Sequence, residues 1–212
     1  MRIRAALVAI VAFACFVGLG ISVGRHGEPA ALLSWESALV DRSTLVAWWL
    51  TWDVYTQLLF PLAFALLVVA WRVPSWRTRI LFSIAMLLLC WRGADLFQQI
   101  FARPRRLDWV VKHETSFSYP SSHAAIATGF YGLWALILAL SELPRSARAI
   151  GAFLLIVLAF ATCWSRLALG AHYLTDLVGG ALFAGALVAA GLAVVPSALT
   201  FPVAGRLSRA AE

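Results

Sequence analysis

Residues 5–24 read AALVAIVAFACFVGLGISVG, twenty residues without a single charge. Coiled as an α-helix, such a run is about 30 Å long, which matches the hydrocarbon thickness of a bilayer. Five further runs of similar character follow at 54–72, 79–100, 122–141, 149–165 and 173–195. Hydrocarbon offers the backbone no hydrogen-bond partner, so a chain that crosses it repeatedly must cross as helices or as a closed barrel. Runs this long and continuous belong to helices. The sequence therefore predicts an all-α, polytopic membrane protein with six transmembrane helices in one bundle, residues 1–212 forming a single membrane-embedded domain.

Composition agrees with this reading. Apolar residues make up 62% of the chain and charged residues 13%, and the mean hydropathy is +0.86, values that exclude a soluble domain. Arg2 and Arg4 ahead of the first run resemble the start of a signal peptide. The run is long for that purpose and no small-x-small cleavage site closes it, so a retained first span is expected. The net charge of +7 does not point to nucleic acid, because the basic residues flank apolar runs instead of forming one basic face. Cys15, Cys90 and Cys163 stand singly within apolar runs and read as inert buried thiols, with no metal and no cofactor implied.

Between the first two runs, residues 25–53 are polar and aromatic: Leu32, Leu33, Trp35, Leu39 and Val40 alternate with Glu36, Asp41 and Arg42, and Trp48, Trp49 and Trp52 follow. This pattern predicts a short amphipathic helix along the interface, with tryptophans at headgroup depth, serving as an anchor.

Retained lysines and arginines mark the cytoplasmic side. In a six-span chain Arg2, Arg4, Arg72, Arg77, Arg79, Arg145, Arg148, Arg206 and Arg209 share one side, which places both termini in the cytoplasm of a bacterial-type inner membrane. The opposite side nevertheless carries Arg103, Arg105, Arg106, Lys112 and Arg166. Positive charge where the topology rule does not need it implies an anion.

That outer side also holds the unusual polar residues. Ahead of the fourth run stand Tyr119, Pro120, Ser121, Ser122 and His123, with Ser121 placed to cap a helix whose free N–H groups face an anion. At the junction of the last two runs stand Ser165 and Arg166, then His172, then Asp176 four residues on, a spacing that lets a carboxylate orient an imidazole on one helical face. Two histidines, a carboxylate, several arginines and a helix N-terminus describe phosphoryl transfer: arginines neutralise the phosphoryl oxygens, one histidine attacks phosphorus, and the other protonates the departing oxygen. His26 and His113 read as interfacial loop residues, and Arg92 with Asp95, three apart within the third run, as a pair facing the bundle.

These residues resemble the type-2 phosphatidic acid phosphatase superfamily, related to vanadium haloperoxidases and bacterial acid phosphatases. Its third motif, Ser-Arg, then His, then Asp, is matched in full by Ser165, Arg166, His172 and Asp176. The second, Pro-Ser-Gly-His, appears as Pro120, Ser121, Ser122 and His123, with serine for glycine. In the first, a lysine followed seven residues later by Arg-Pro, Arg105 is matched but Gln98 stands for the lysine and Arg106 for the proline. Taking Arg103 and Pro104 as the pair would put Leu96 at the lysine position.

The resemblance implies that His172 is the nucleophile and forms a phosphohistidine, that Asp176 raises its nucleophilicity and that His123 is the general acid. It also implies that Arg105, Arg166, Ser121 and the Ser122 amide hold the phosphate, with Gln98 at the edge of that set and Arg103 or Arg106 available to replace the lost lysine. The activity expected is metal-independent hydrolysis of a lipid phosphate or diphosphate at the outer leaflet. Undecaprenyl diphosphate comes first as substrate, with phosphatidylglycerol phosphate, phosphatidic acid and lipid A phosphate as others. A phosphotransferase using the same histidine, and a catalytically weak membrane binding protein, are the competing readings.

Overall fold

The computed structural model describes residues 2–40, 44–52, 57–106 and 115–199. Asp41, Arg42, Asp53, Lys112, His113, Arg206 and Arg209 lie outside the described residues. The described chain is helical, with no strand: α1 (Arg2–His26), α2 (Ala30–Ser37), α3 (Thr44–Trp52), α4 (Leu59–Arg72), α5 (Pro74–Phe101), α6 (Ser122–Ala139), α7 (Arg145–Ala168) and α8 (Leu174–Val194). Helices α1, α5, α6, α7 and α8 are long and apolar enough to cross a membrane. At 14 residues, α4 is shorter than a full span.

Helix ends follow local chemistry. Pro74 opens α5 at its first turn, where its missing N–H costs nothing. The same helix stops at Ala102, whose left-handed φ of 48° turns the chain into the arginine-rich loop, and Pro104 prevents its resumption. Helix α7 closes in a Schellman motif: the Gly170 N–H bonds the Leu167 carbonyl at 2.9 Å and the Ala171 N–H the Arg166 carbonyl at 3.0 Å. Gly170 takes the φ of +68° that this motif requires.

Helix α1 packs along α8, and α5 lies against α4, α6 and α8. Their shared core contains Phe16, Cys90, Tyr119, Ile126, Phe130 and Phe183. Between α8 and α6 the approach is closest at Gly180, where a Cβ would stand 2.4 Å from the Ser121 carbonyl oxygen. In lipid, where the tails are as apolar as the side chains, such close backbone packing holds helices together. Helix α6 relaxes into a π-turn over Ala127–Gly132 just below this contact.

Two sequence expectations are revised. The described residues after α1 in this segment form two short helices, α2 and α3, instead of one, and α3 packs on α7, with Thr51 Oγ1 2.8 Å from Ser165 Oγ. Arg92 does not face the bundle: it is exposed and stacks over the Trp91 ring at 4.6 Å, a contact that stabilises a cation at the outer surface.

Candidate active site

Three segments meet at one end of the bundle: the arginine loop after α5, the Tyr119–His123 turn that begins α6, and the α7–α8 junction. The turn is held from three sides. Tyr119 is fully buried among Phe16, Phe101 and Gly179 and donates its hydroxyl to the Phe16 carbonyl at 2.6 Å. Burial pushes its phenol well above the ordinary range, so it stays a donor. Gln98 on α5 donates to the Pro120 carbonyl at 2.9 Å, and the Ser121 N–H donates to the Asp176 carbonyl at 3.0 Å. Ser121 then caps α6 by accepting from the Ala124 N–H at 3.4 Å, as its position in the sequence predicts.

His172 and Asp176 meet by a route other than one helical face. The Schellman turn has already ended α7, and α8 starts only at Leu174, so His172 lies on the connecting turn. Asp176, in the first turn of α8, reaches back to accept from the Tyr173 N–H at 2.9 Å, which brings its Oδ2 to 3.3 Å from His172 Nδ1. Both side chains are fully buried. On the other edge of the ring, Arg105 Nη1 lies 3.0 Å from His172 Nε2. A guanidinium can only donate. Nε2 therefore presents a lone pair, and Nδ1 carries the proton toward Asp176.

Arg105 is fixed by bonds to the Ser116 carbonyl and hydroxyl, both 2.8 Å, and to the Ala171 carbonyl at 3.0 Å. His123 lies in the electrostatic field of Arg166, His172 and Arg105, so these four residues are near one another. Arg166 is buried in the last turn of α7, and Ser122 and His123 are each 9% exposed at the start of α6.

The remaining two site candidates do different work. Gln98 supports the Pro120 carbonyl. Arg103 donates to Asp176 Oδ1 at 2.6 Å, to Thr175 Oγ1 at 2.8 Å and to Glu28 Oε2 at 2.9 Å, and it stacks over the Tyr173 ring at 4.1 Å. Burial works against its charge, but Asp176 and Glu28 outweigh that and push its pKa up. Ser118, whose hydroxyl is shared between the Pro104 carbonyl at 3.1 Å and Asp176 Oδ1 at 3.4 Å, joins Arg103, His172 and the Tyr173 N–H around this carboxylate.

Glu28, Glu36, Thr175 and Ser118 escaped the sequence reading. The only hint of the two glutamates was the presence of acids in an aromatic segment of a chain with few charges. Among the described residues, no three His, Cys, Asp or Glu side chains converge to hold a metal ion.

The fold is similar to that of the crystal structure of a transmembrane PAP2-type phosphatidylglycerolphosphate phosphatase from Bacillus subtilis, with a TM-score of 0.68 and 22% identity over 89% of this chain and 95% of that one. No curated protein matches the chain in sequence. The PAP2 superfamily pattern, by contrast, matches residues 6–199, nearly the whole chain, and the two histidines, the aspartate and the arginines all fall within it. This multi-pass membrane protein accordingly belongs to the PAP2 superfamily, whose members are phosphatases.

Proposed function

We propose that the chain hydrolyses a lipid phosphate or diphosphate through a phosphohistidine on His172, without a metal ion. The observation that carries this reading is the state of His172: Nδ1 is held against Asp176 at 3.3 Å and the Nε2 lone pair points at the Arg105 guanidinium 3.0 Å away. A nucleophile and the cation that would draw a phosphate to it occupy adjacent positions.

The steps balance as follows. Arg105, Arg166 and the N-terminal amides of α6 bind the phosphoryl oxygens, and Nε2 attacks phosphorus as the bond to the leaving oxygen breaks. His123 gives that oxygen a proton. Water, deprotonated by His123, then attacks phosphorus, the P–N bond breaks, and phosphate leaves with the Nε2 lone pair restored. Asp176 stabilises the imidazolium character that develops on attack.

A lipid substrate is supported by a groove of about 560 Å³ whose lining is almost wholly apolar, including Trp35, Thr128, Phe160, Leu167, Leu174 and Leu177. Leu167 and Leu177, which line it, pack against Ala124 in the first turn of α6. Undecaprenyl diphosphate remains the first candidate, with Arg105 and Arg166 as the cations that would face its phosphates. Phosphatidylglycerol phosphate is the alternative drawn from the similar structure, and phosphatidic acid and lipid A phosphate complete the panel. The site faces the outside of a bacterial-type inner membrane, with both termini in the cytoplasm.

The test is phosphate release by purified protein from each of these lipids, in chelator, with and without an acceptor lipid. Vanadate-sensitive release that survives chelation and does not need the acceptor is expected. Release only with the acceptor would make the chain a phosphotransferase, and no release from any lipid would leave a binding protein.

A further inference from the structure

We infer that Glu28 and Glu36, on the segment joining α1 to α3, are positioning residues of the phosphate site: they engage Arg103 and Arg106 and thereby hold the arginine loop in the register that sets Arg105 against His172. The inference rests on the phosphatase reading above.

Three arginines within four residues would all compete for one phosphate. The structure gives two of them to carboxylates. Arg106 Nη1 donates to Glu36 Oε2 at 2.7 Å and Nη2 to Ser37 Oγ at 3.2 Å, and Arg103 bridges Glu28 Oε2 and Asp176 Oδ1 at 2.9 and 2.6 Å. Both guanidiniums also lie over the Tyr173 ring, Arg103 at 4.1 Å and Arg106 at 5.4 Å. Glu36 is fully buried. Such a pair costs desolvation on both sides, so it is weak support for stability and is better explained by the geometry it enforces.

The same two carboxylates occupy the start of α8. Glu36 Oε1 accepts from the Leu174 N–H at 2.7 Å, Glu28 Oε1 from the Thr175 N–H at 3.4 Å, and Glu28 also accepts from the Thr175 hydroxyl. With Asp176 on the Tyr173 N–H, the N-terminus of α8 is filled by the protein's own anions. A helix N-terminus left open would attract phosphate. Of the two helix N-termini at the site among the described residues, that of α6, beside His123, carries no carboxylate.

The groups facing Glu36 are Arg106, the Leu174 N–H and Glu28. Burial, reinforced by Glu28, pushes its pKa up to about 7. Engagement of Arg106 therefore weakens as pH falls through neutrality.

The experiment compares wild type, His172→Ala, Glu36→Gln, Arg106→Gln and the double variant Glu36→Gln/Arg106→Gln in phosphate release from phosphatidic acid or undecaprenyl diphosphate across pH 5–9. Glu36→Gln keeps an acceptor for the Leu174 N–H but loses the charge. It is expected to lower kcat on the order of 10- to 100-fold, the cost of displacing a reacting group by about 1 Å. The double variant should be no worse than the poorer single. The acid limb of the wild-type profile should carry a contribution from Glu36 near pH 7 that is missing from that of Glu36→Gln. If Glu36→Gln does not fold, Arg106→Gln carries the same expectation for kcat. Wild-type kcat and pH profile in both single variants, or additive losses in the double, would overturn the inference while leaving the phosphatase reading intact. Equal inactivity of wild type and His172→Ala would overturn both.

Discussion

His172 and His123 lie within each other's electrostatic field but are assigned tasks that differ in what they demand of the substrate. His123 only delivers a proton, a contribution of about 10²- to 10⁴-fold. His123→Ala should therefore slow release from a lipid alkoxide far more than from p-nitrophenyl phosphate, whose leaving group departs with little protonation. A plot of rate against leaving-group pKa, steeper in the variant than in wild type, is the expected result; equal loss on all substrates would remove His123 from the acid role. Glu36 yields a second prediction, on stability. Its folded-state pKa of about 7 lies above the ordinary 4.5, so the folded protein binds the proton more tightly than the unfolded chain. Its contribution to stability is present below about pH 4.5 and is lost as pH rises to about 7. The thermal midpoint of wild type should fall faster over that window than that of Glu36→Gln, as followed by unfolding scans in detergent.

At the scale of elements, the site exists because four helix ends, of α5, α6, α7 and α8, are brought to one place, and Gly180 sets the spacing of α6 and α8. An added Cβ would stand 2.4 Å from the Ser121 oxygen and 3.0 Å from the Ala125 nitrogen, both backbone, so neither can swing aside. Gly180→Ala should cost about 1–3 kcal/mol and lower kcat by moving the start of α6, with His123, away from the α7–α8 junction. Unchanged midpoint and kcat would show that this contact does not position the site. Much of this was legible in the sequence. Ser121 as a cap and the approximate starts of α6 and α8 are local signals, readable from neighbours in the chain. The four-residue spacing of His172 and Asp176 also located the pair, although the contact arises from a carboxylate capping α8 behind a turn, a geometry that periodicity does not distinguish from one helical face. Glu28 and Glu36 were not legible: Glu36 pairs with Arg106 and Leu174, 70 and 138 residues further along, and no spacing rule reaches so far. Gln98 was noticed as a missing lysine, whereas its bond to the Pro120 carbonyl depends on a turn that only the fold creates.

At the scale of the molecule, the apolar helices place the protein in the membrane, and the arginines predict which way it faces. Thr115, exposed at the edge of the site, gives a direct handle on orientation. A Thr115→Cys variant, with Cys15, Cys90 and Cys163 replaced by serine or alanine, should react with a membrane-impermeant maleimide added outside intact cells. Reaction only after the membrane is breached would invert the topology and put the phosphate site on the cytoplasmic leaflet. The account as a whole turns on a covalent bond between His172 and phosphorus. Rapid acid-free quenching of the purified protein during turnover of phosphate-labelled undecaprenyl diphosphate or phosphatidylglycerol phosphate, followed by peptide mapping, tests this directly. The account predicts acid-labile label on His172, absent in His172→Ala and retained in His123→Ala on a good leaving group; turnover with label on another residue, or undiminished phosphate release by His172→Ala, would contradict it.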